Sequence, residues 1–238
     1  MNKLSKDSED AKEFIKKNKR LLFEKFANDK IYKPNKTPIS LFMAGSSGAG
    51  KTEYSKALIE IAKKSVKPIV RIDADEIREM LPQYNGANSD VVQNAASIGV
   101  HKLYDYILKN RLNAMIDGTF ANFEIVHRNI KRSLSRGRSV GIYYVYQDPI
   151  VAWEFTKKRE KLEGRRVPRK VFIESFFNSK INVNKIEFIF KDDVKIYLVI
   201  KNYSNNIEKF YPKVVNIDNH IKTMYSKEKL NQLLRDEI

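Results

Sequence analysis

Ala11, Ile15, Leu22 and Phe26 are apolar positions spaced by four, seven and four, which predicts one helical face over Ser8 to Asn28, with Ser8 as N-cap and Lys and Glu outside. This helix is expected to pack on the core. Pro34 and Pro38 mark an extended connection into Ile39 to Ala44 (ISLFMA), apolar but for Ser40, which reads as a buried strand. Helical spacing returns over Thr52 to Lys64 in Ala57, Leu58, Ile61 and Ala62, with Glu53, Lys56, Lys63 and Lys64 turned outward. Further strand-like runs are Pro68 to Ile72 (PIVRI), Ala114 to Ile116 (AMI), Val140 to Tyr146 (VGIYYVY) and Val194 to Ile200 (VKIYLVI). Buried strands alternating with helical patterns predict an α/β fold with helices on both faces of a mostly parallel sheet of five to six strands. Ligands of such sheets bind beyond the carboxyl ends of the strands, so polar signals are to be sought there.

Trp153, Phe172, Phe176 and Phe177 are expected to pack the helical region around the basic segment described below. Near the end of the chain, VVNI (Val214 to Ile217) suggests a small edge strand, and Ser226 to Ile238 a closing helix with Leu230, Leu233 and Leu234. At 238 residues, 42% hydrophobic and 11% aromatic, the chain suits a single folded domain over residues 1–238, without repeats or polar low-complexity tracts. Its parts are the N-terminal packing helix (8–28), a core over 39–179 with a lid around 157–170, and C-terminal strands and helix over 180–238.

The formal charge of +16 suits nucleic acid, an anionic membrane surface or small phosphorylated ligands. The basic residues are spread from Lys3 to Arg235 without a tract, which favours a general compositional bias and leaves nucleic acid an unfavoured partner. Absence of cysteine excludes disulfides, thiolate nucleophiles and cysteine-ligated metals. The first residues hold no apolar leader segment, and no apolar run approaches the roughly 18 residues of a spanning helix. A cytoplasmic protein with no membrane partner is the expectation.

The first strand ends in Gly45-Ser46-Ser47-Gly48-Ala49-Gly50-Lys51-Thr52, a full G-x-x-x-x-G-K-[ST] match. Its glycines let backbone N–H groups converge on phosphates, Lys51 reaches the β/γ oxygens, the Thr52 hydroxyl suits Mg²⁺, and the helix N-terminus adds its dipole. ATP or GTP with Mg²⁺ is the implied ligand. The second strand ends in Asp73-Ala74-Asp75-Glu76-Ile77-Arg78, where one acid can cap the following helix and the other can accept the proton of an attacking hydroxyl. Asp117-Gly118-Thr119-Phe120 follows the third strand; Asp117 can orient Mg²⁺ or its waters, with a plain Asp-Gly turn as the alternative. After the fourth strand, Lys157, Lys158, Arg159, Arg165 and Arg166 form a basic segment able to fork onto phosphate oxygens as a lid, or to serve as a solvated patch. His101, His127 and His220 are too scattered for a metal site.

The segments GSSGAGKTEYSK, RIDADEIREMLPQYNG, MIDGTFAN, YYVYQDPIVAWEFTKKRE and EGRRVPRKVFIESFFNS together resemble the zeta toxin family of P-loop kinases over about Leu41 to Ser179. The D-x-D followed by a basic residue and a proline, here Asp73, Asp75, Arg78 and Pro82, narrows the choice among P-loop proteins. The resemblance implies a P-loop three-layer sandwich like that of adenylate and polynucleotide kinases, with a helical lid. It also implies an ATP- and Mg²⁺-dependent enzyme that phosphorylates the 3′-hydroxyl of UDP-N-acetylglucosamine, with a separate antitoxin as a partner. Carried over, Lys51 and Thr52 become the phosphate and Mg²⁺ residues, Asp75 the general base, and Arg159 with Arg165 or Arg166 the lid arginines. Asp73, Arg78, His101 and Thr119 fall on the substrate side. The chain departs from the pattern of the family it resembles at Asp117, where that family carries glutamate, and at His101, where it carries an acidic substrate contact. Other acceptors in the same superfamily setting are NAD, nucleosides and nucleic-acid ends, and a nucleotide-switched binding protein is the non-enzymatic alternative.

Overall fold

The computed structural model describes residues 3–64, 67–164, 166–222 and 224–234. The apolar runs become strands close to their expected bounds: β1 (Ile39–Ala44), β2 (Ile69–Asp73), β3 (Asn113–Asp117), β4 (Ser139–Tyr146) and β5 (Val194–Lys201). A sixth strand, β6 (Ile207–Tyr211), completes a sheet of order β2-β3-β1-β4-β5-β6, parallel except for the antiparallel β6. Helices α1 (Lys3–Lys17), α2 (Lys19–Phe26), α3 (Lys51–Ala62), α4 (Ala74–Arg78), α5 (Gln93–Lys109), α6 (Phe123–Leu134), α7 (Pro149–Glu163), α8 (Arg169–Phe190) and α9 (Lys227–Leu233) surround it.

Alternation along each strand sends side chains to opposite faces, which makes three layers. Phe42, Ile72, Ala114, Ile142, Tyr144 and Leu198 join Ile15, Leu22, Leu103, Ile107 and Ile186 of the helices on one face. Met43, Ile69, Met115, Val145 and Val199 face α3 on the other. A separate apolar cluster of Ala152, Trp153, Phe172, Ile173, Phe176, Leu230 and Leu234 binds α7, α8 and α9 together, with Phe177 against it. The aromatic residues around the basic segment therefore pack it, as expected.

Four expectations are corrected. The N-terminal helix is two: Asn18 interrupts it and donates its Nδ2–H to the Phe14 carbonyl at 2.9 Å, competing with the backbone ladder. Ala11 and Ile15 on α1 and Leu22 and Phe26 on α2 are all buried, so the face survives the break, and Ser8 lies inside α1 rather than capping it. On α3, Ile61 and Ala57 are exposed, whereas Ser55, Leu58, Ile59 and Ala62 face the sheet, because the glycine loop sets the rotation of the helix. The VVNI segment is no strand: Val214 donates its N–H to Ile196 O at 2.9 Å and Ile217–Asn219 makes a single 3₁₀ turn. In α9, Ser226 caps through Lys229 N at 3.1 Å and Leu230 and Leu234 are buried, but Leu233 is partly exposed. Positions 235–238 of the expected closing helix lie outside the described residues.

α7 starts where β4 ends. The Asp148 carboxylate accepts from Ile150 N (2.9 Å) and Val151 N (3.4 Å), and Pro149 occupies the first helical turn. Asp148→Ala is expected to lower stability by about 1 kcal/mol, read as a lower urea midpoint at unchanged m-value. An unchanged midpoint would mean that Pro149 alone fixes the start of α7.

Candidate active site

The carboxyl ends of β1, β2 and β3 open into one cleft of about 960 Å³, roofed by α7 and the start of α8. The loop from β1 to α3 forms its floor. Gly45, Gly48 and Gly50 all have positive φ, a region open to glycine without steric cost. At Gly45, φ is +132° and an added Cβ would lie 2.3 Å from Val145 O, so the loop passes flush against β4. Gly45 N donates to Thr119 O at 3.2 Å, which ties the loop to the segment after β3. Lys51 is buried and its Nζ donates to Ser46 O at 2.5 Å, folded back within its own loop. Gly45 to Thr52 thus form a tight glycine loop where the phosphate loop is expected, with Ser47, Gly48, Gly50, Lys51 and Thr52 on the cleft wall.

The two aspartates after β2 divide as the local chemistry requires. Asp73 is the N-cap of α4, accepting from Asp75 N at 2.8 Å. Asp75 stands in the first turn, ion-paired through Oδ1 with Arg78, while Arg159 Nη2 of α7 lies 3.8 Å from its Oδ2. Arg78 is buried, and its Nη2 donates to Gln93 Oε1 at 2.5 Å. Burial first, and then the charge of Asp75, push the Asp73 carboxyl above its ordinary pKa against the pull of Arg71.

Asp117 is the register partner of Asp73 on the neighbouring strand. Its Oδ2 accepts from Ser55 Oγ at 2.8 Å and from Arg71 Nη2 at 2.6 Å. Hard oxygen donors at Thr52 and Asp117 fit Mg²⁺, which is ordinarily held by one or two protein oxygens together with substrate phosphates. Among the described residues no group of three or more His, Asp or Glu could cage a metal without such phosphates.

Arg159 also pairs with Glu163 at 2.9 Å, and Arg166 reaches the cleft wall. Arg165 lies outside the described residues. Thr119 lines the cleft, but His101 does not. It sits half-buried on α5 beside Asp105, Arg128 and Arg132, and burial holds its pKa below the ordinary histidine value. The expected substrate contact at His101 is therefore corrected: the part of α5 that reaches the cleft is its start, at Gln93, with Ser89 and Asp90 before it. Glu174 and Asn178 of α8, Phe155 of α7 and Asn205 of the β5–β6 turn also line it, unforeseen because they converge only in the fold. Arg71 was missed as well, although a guanidinium inside the apolar run PIVRI, two residues before an aspartate, is a readable signal.

No curated protein matches the chain by sequence. Among solved structures it is similar to the PezAT chromosomal toxin-antitoxin system of Streptococcus pneumoniae, at 20% identity and a TM-score of 0.62, covering 97% of this chain and 88% of that one. It is similar too to AvrRxo1-ORF1:-ORF2 with ATP, at 14% identity and a TM-score of 0.58, covering 88% of this chain and 65% of that one. A third likeness, at 15% identity and a TM-score of 0.52, is to the Pnkp1/Rnl/Hen1 RNA repair complex, covering 76% and 50%. At such identities these likenesses speak for the fold, a mostly parallel sheet of the P-loop kinase type. The zeta toxin family model matches residues 24–216, taking in every strand, the phosphate loop and the cleft, and the chain belongs to that family.

Proposed function

We propose that the chain is an ATP-dependent phosphotransferase acting as a single domain, with a sugar hydroxyl as acceptor and the 3′-hydroxyl of UDP-N-acetylglucosamine as the first choice. The observation that supports it most is the meeting of Asp75 with Arg159 in the cleft floored by Lys51 and the phosphate loop. Phosphoryl transfer asks for little covalent chemistry from the protein; it needs in-line positioning and charge stabilisation. In this reading Asp75 accepts the proton of the acceptor hydroxyl, whose oxygen bonds to the γ-phosphorus as the bond to the β,γ-bridging oxygen breaks and ADP leaves. Lys51, Arg159 and Arg166 offset the charge on the transferring group, with Arg165 as an equal lid candidate. Asp73 and Arg78 hold Asp75 in place, and Thr119 faces the acceptor. Mg²⁺ entering with ATP would be held by Thr52 and Asp117 and would neutralise phosphate charge.

Incubating the protein with ATP and a panel of UDP-sugars, NAD, nucleosides and nucleic-acid ends, followed by mass spectrometry, tests the reading. A phosphoryl-sized mass gain on UDP-N-acetylglucosamine is expected; gain on another compound alone would replace the acceptor. The +16 charge favours a second reading, a nucleic-acid end as acceptor. It requires binding that weakens steeply with salt. The likeness to toxin-antitoxin structures supports a separate antitoxin as partner. No described helix is long and apolar enough to cross a membrane, and a cytoplasmic location fits the proposed substrates.

A further inference from the structure

Arg71 stands in the middle of β2, an otherwise apolar strand, and its side chain is only 10% exposed. It donates to four partners. Nε reaches Ser55 Oγ and Asp117 Oδ2, both at 3.1 Å; Nη2 reaches Asp117 Oδ2 at 2.6 Å and also Asp73 Oδ2; Nη1 reaches Glu76 Oε1. Burial works against its charge, but Asp117, Asp73 and Glu76 outweigh burial and hold it firmly protonated. Those partners bring three parts of the fold together. Ser55 is on α3, the helix that opens with the phosphate loop; Asp73 caps α4, which carries Asp75; Asp117 ends β3.

A single planar guanidinium therefore cross-links the phosphate-loop helix to the turn that presents Asp75. A lysine could not match it, because an ammonium is a point charge without the flat fork that meets several oxygens at fixed angles. Electrostatics adds a second consequence. Asp73, Glu76 and Asp117 would together repel strongly around an empty centre, and oxygen clusters of that kind attract hard divalent cations. Arg71 fills that centre and takes Asp73 Oδ2 and Asp117 Oδ2 as acceptors of its Nη2.

We propose that Arg71 is the positioning residue of this site, a resident cation that fixes Asp75 relative to the phosphate loop and keeps the carboxylates from holding a divalent ion without nucleotide. The first half rests on the kinase reading above; the second does not. Arg71→Lys keeps the charge and loses the fork, so kcat should fall about 10- to 100-fold, the usual effect of removing an outer-shell partner, while ATP affinity measured by calorimetry stays unchanged. A kcat within about twofold of the wild type, or a loss matched by an equal loss of ATP affinity, would overturn the positioning role. Arg71→Gln removes the cation. Nucleotide-free protein titrated with Mn²⁺ and read by electron paramagnetic resonance should bind the ion in this variant and not in the wild type.

Equal Mn²⁺ binding by both proteins would overturn the resident-cation role. Should Arg71→Gln unfold, the double variant Arg71→Gln/Glu76→Gln, which removes one cation and one anion together, takes its place with the same expected Mn²⁺ gain. Failure of the kinase reading is told apart, because the Mn²⁺ titration needs no turnover: a wild type that phosphorylates nothing would leave that arm fully readable.

Discussion

Asp75→Asn is expected to lower phosphoryl transfer by about 10²- to 10⁴-fold, the contribution typical of a positioned general base, while ATP still binds. The substitution conserves volume and the N-terminal position on α4, so the loss would come from the missing base. Nucleotide affinity should survive because the phosphate loop, Lys51 and α3 follow β1, whereas Asp75 stands on α4 after β2. The competing role for Asp75 is that of an ion-pair partner for Arg78, which is buried and would be left short of an anion. That role predicts a lowered melting temperature with turnover intact. Measuring kcat by ADP release, ATP affinity by calorimetry and unfolding by urea separates the two. Turnover within about tenfold of the wild type, against the range expected of a lost base, would take Asp75 out of the reaction.

The strands were legible because a strand buried on both faces has a sequence of its own: ISLFMA and VGIYYVY leave almost no polar position inside the run. β6 was not, since IEKFY is a short edge strand, exposed along most of its length, and its partner β5 selects it through a turn of Asn202 to Asn206. The glycine loop was legible through its spacing alone, and so was a cap supplied by one of the two aspartates; that Asp73 is the one came from the fold. The rotation of α3 was not, because the helix is only weakly amphipathic and its first residue is set by backbone conformation at Gly50. His101 illustrates the limit of carrying a position across by alignment. A shift of two turns along α5 separates Gln93, in the cleft, from His101, against α6. Arg71 was visible as a charge in an apolar strand, but its four partners come from positions 55, 73, 76 and 117, and only the parallel register of β2 with β3 brings them together.

Gly48→Ala is expected to reduce ATP affinity by more than about 100-fold, or roughly 2.8 kcal/mol. The backbone at Gly48 has φ of +71°, which any L-residue enters at a cost of about 1–2 kcal/mol. That strain is the smaller part. An added Cβ would lie 1.9 Å from Ala152 O and 2.6 Å from Thr156 Oγ1, and the carbonyl belongs to the backbone of α7, which no rotamer change can move aside. Either the loop lifts away, and its N–H groups no longer converge on phosphate, or α7 slides and carries Arg159 away from Asp75. Both routes damage the same site, so the loss should appear in binding and in turnover together. Gly137→Ala supplies the control: it has φ of +63° with no atom within 4 Å of the added Cβ, so it bears the backbone cost without the collision. It should lose about 1 kcal/mol of stability and none of its ATP affinity. Calorimetric titration of both variants decides the matter. If Gly48→Ala binds ATP no worse than Gly137→Ala, the close approach of loop and α7 is not what shapes the phosphate site.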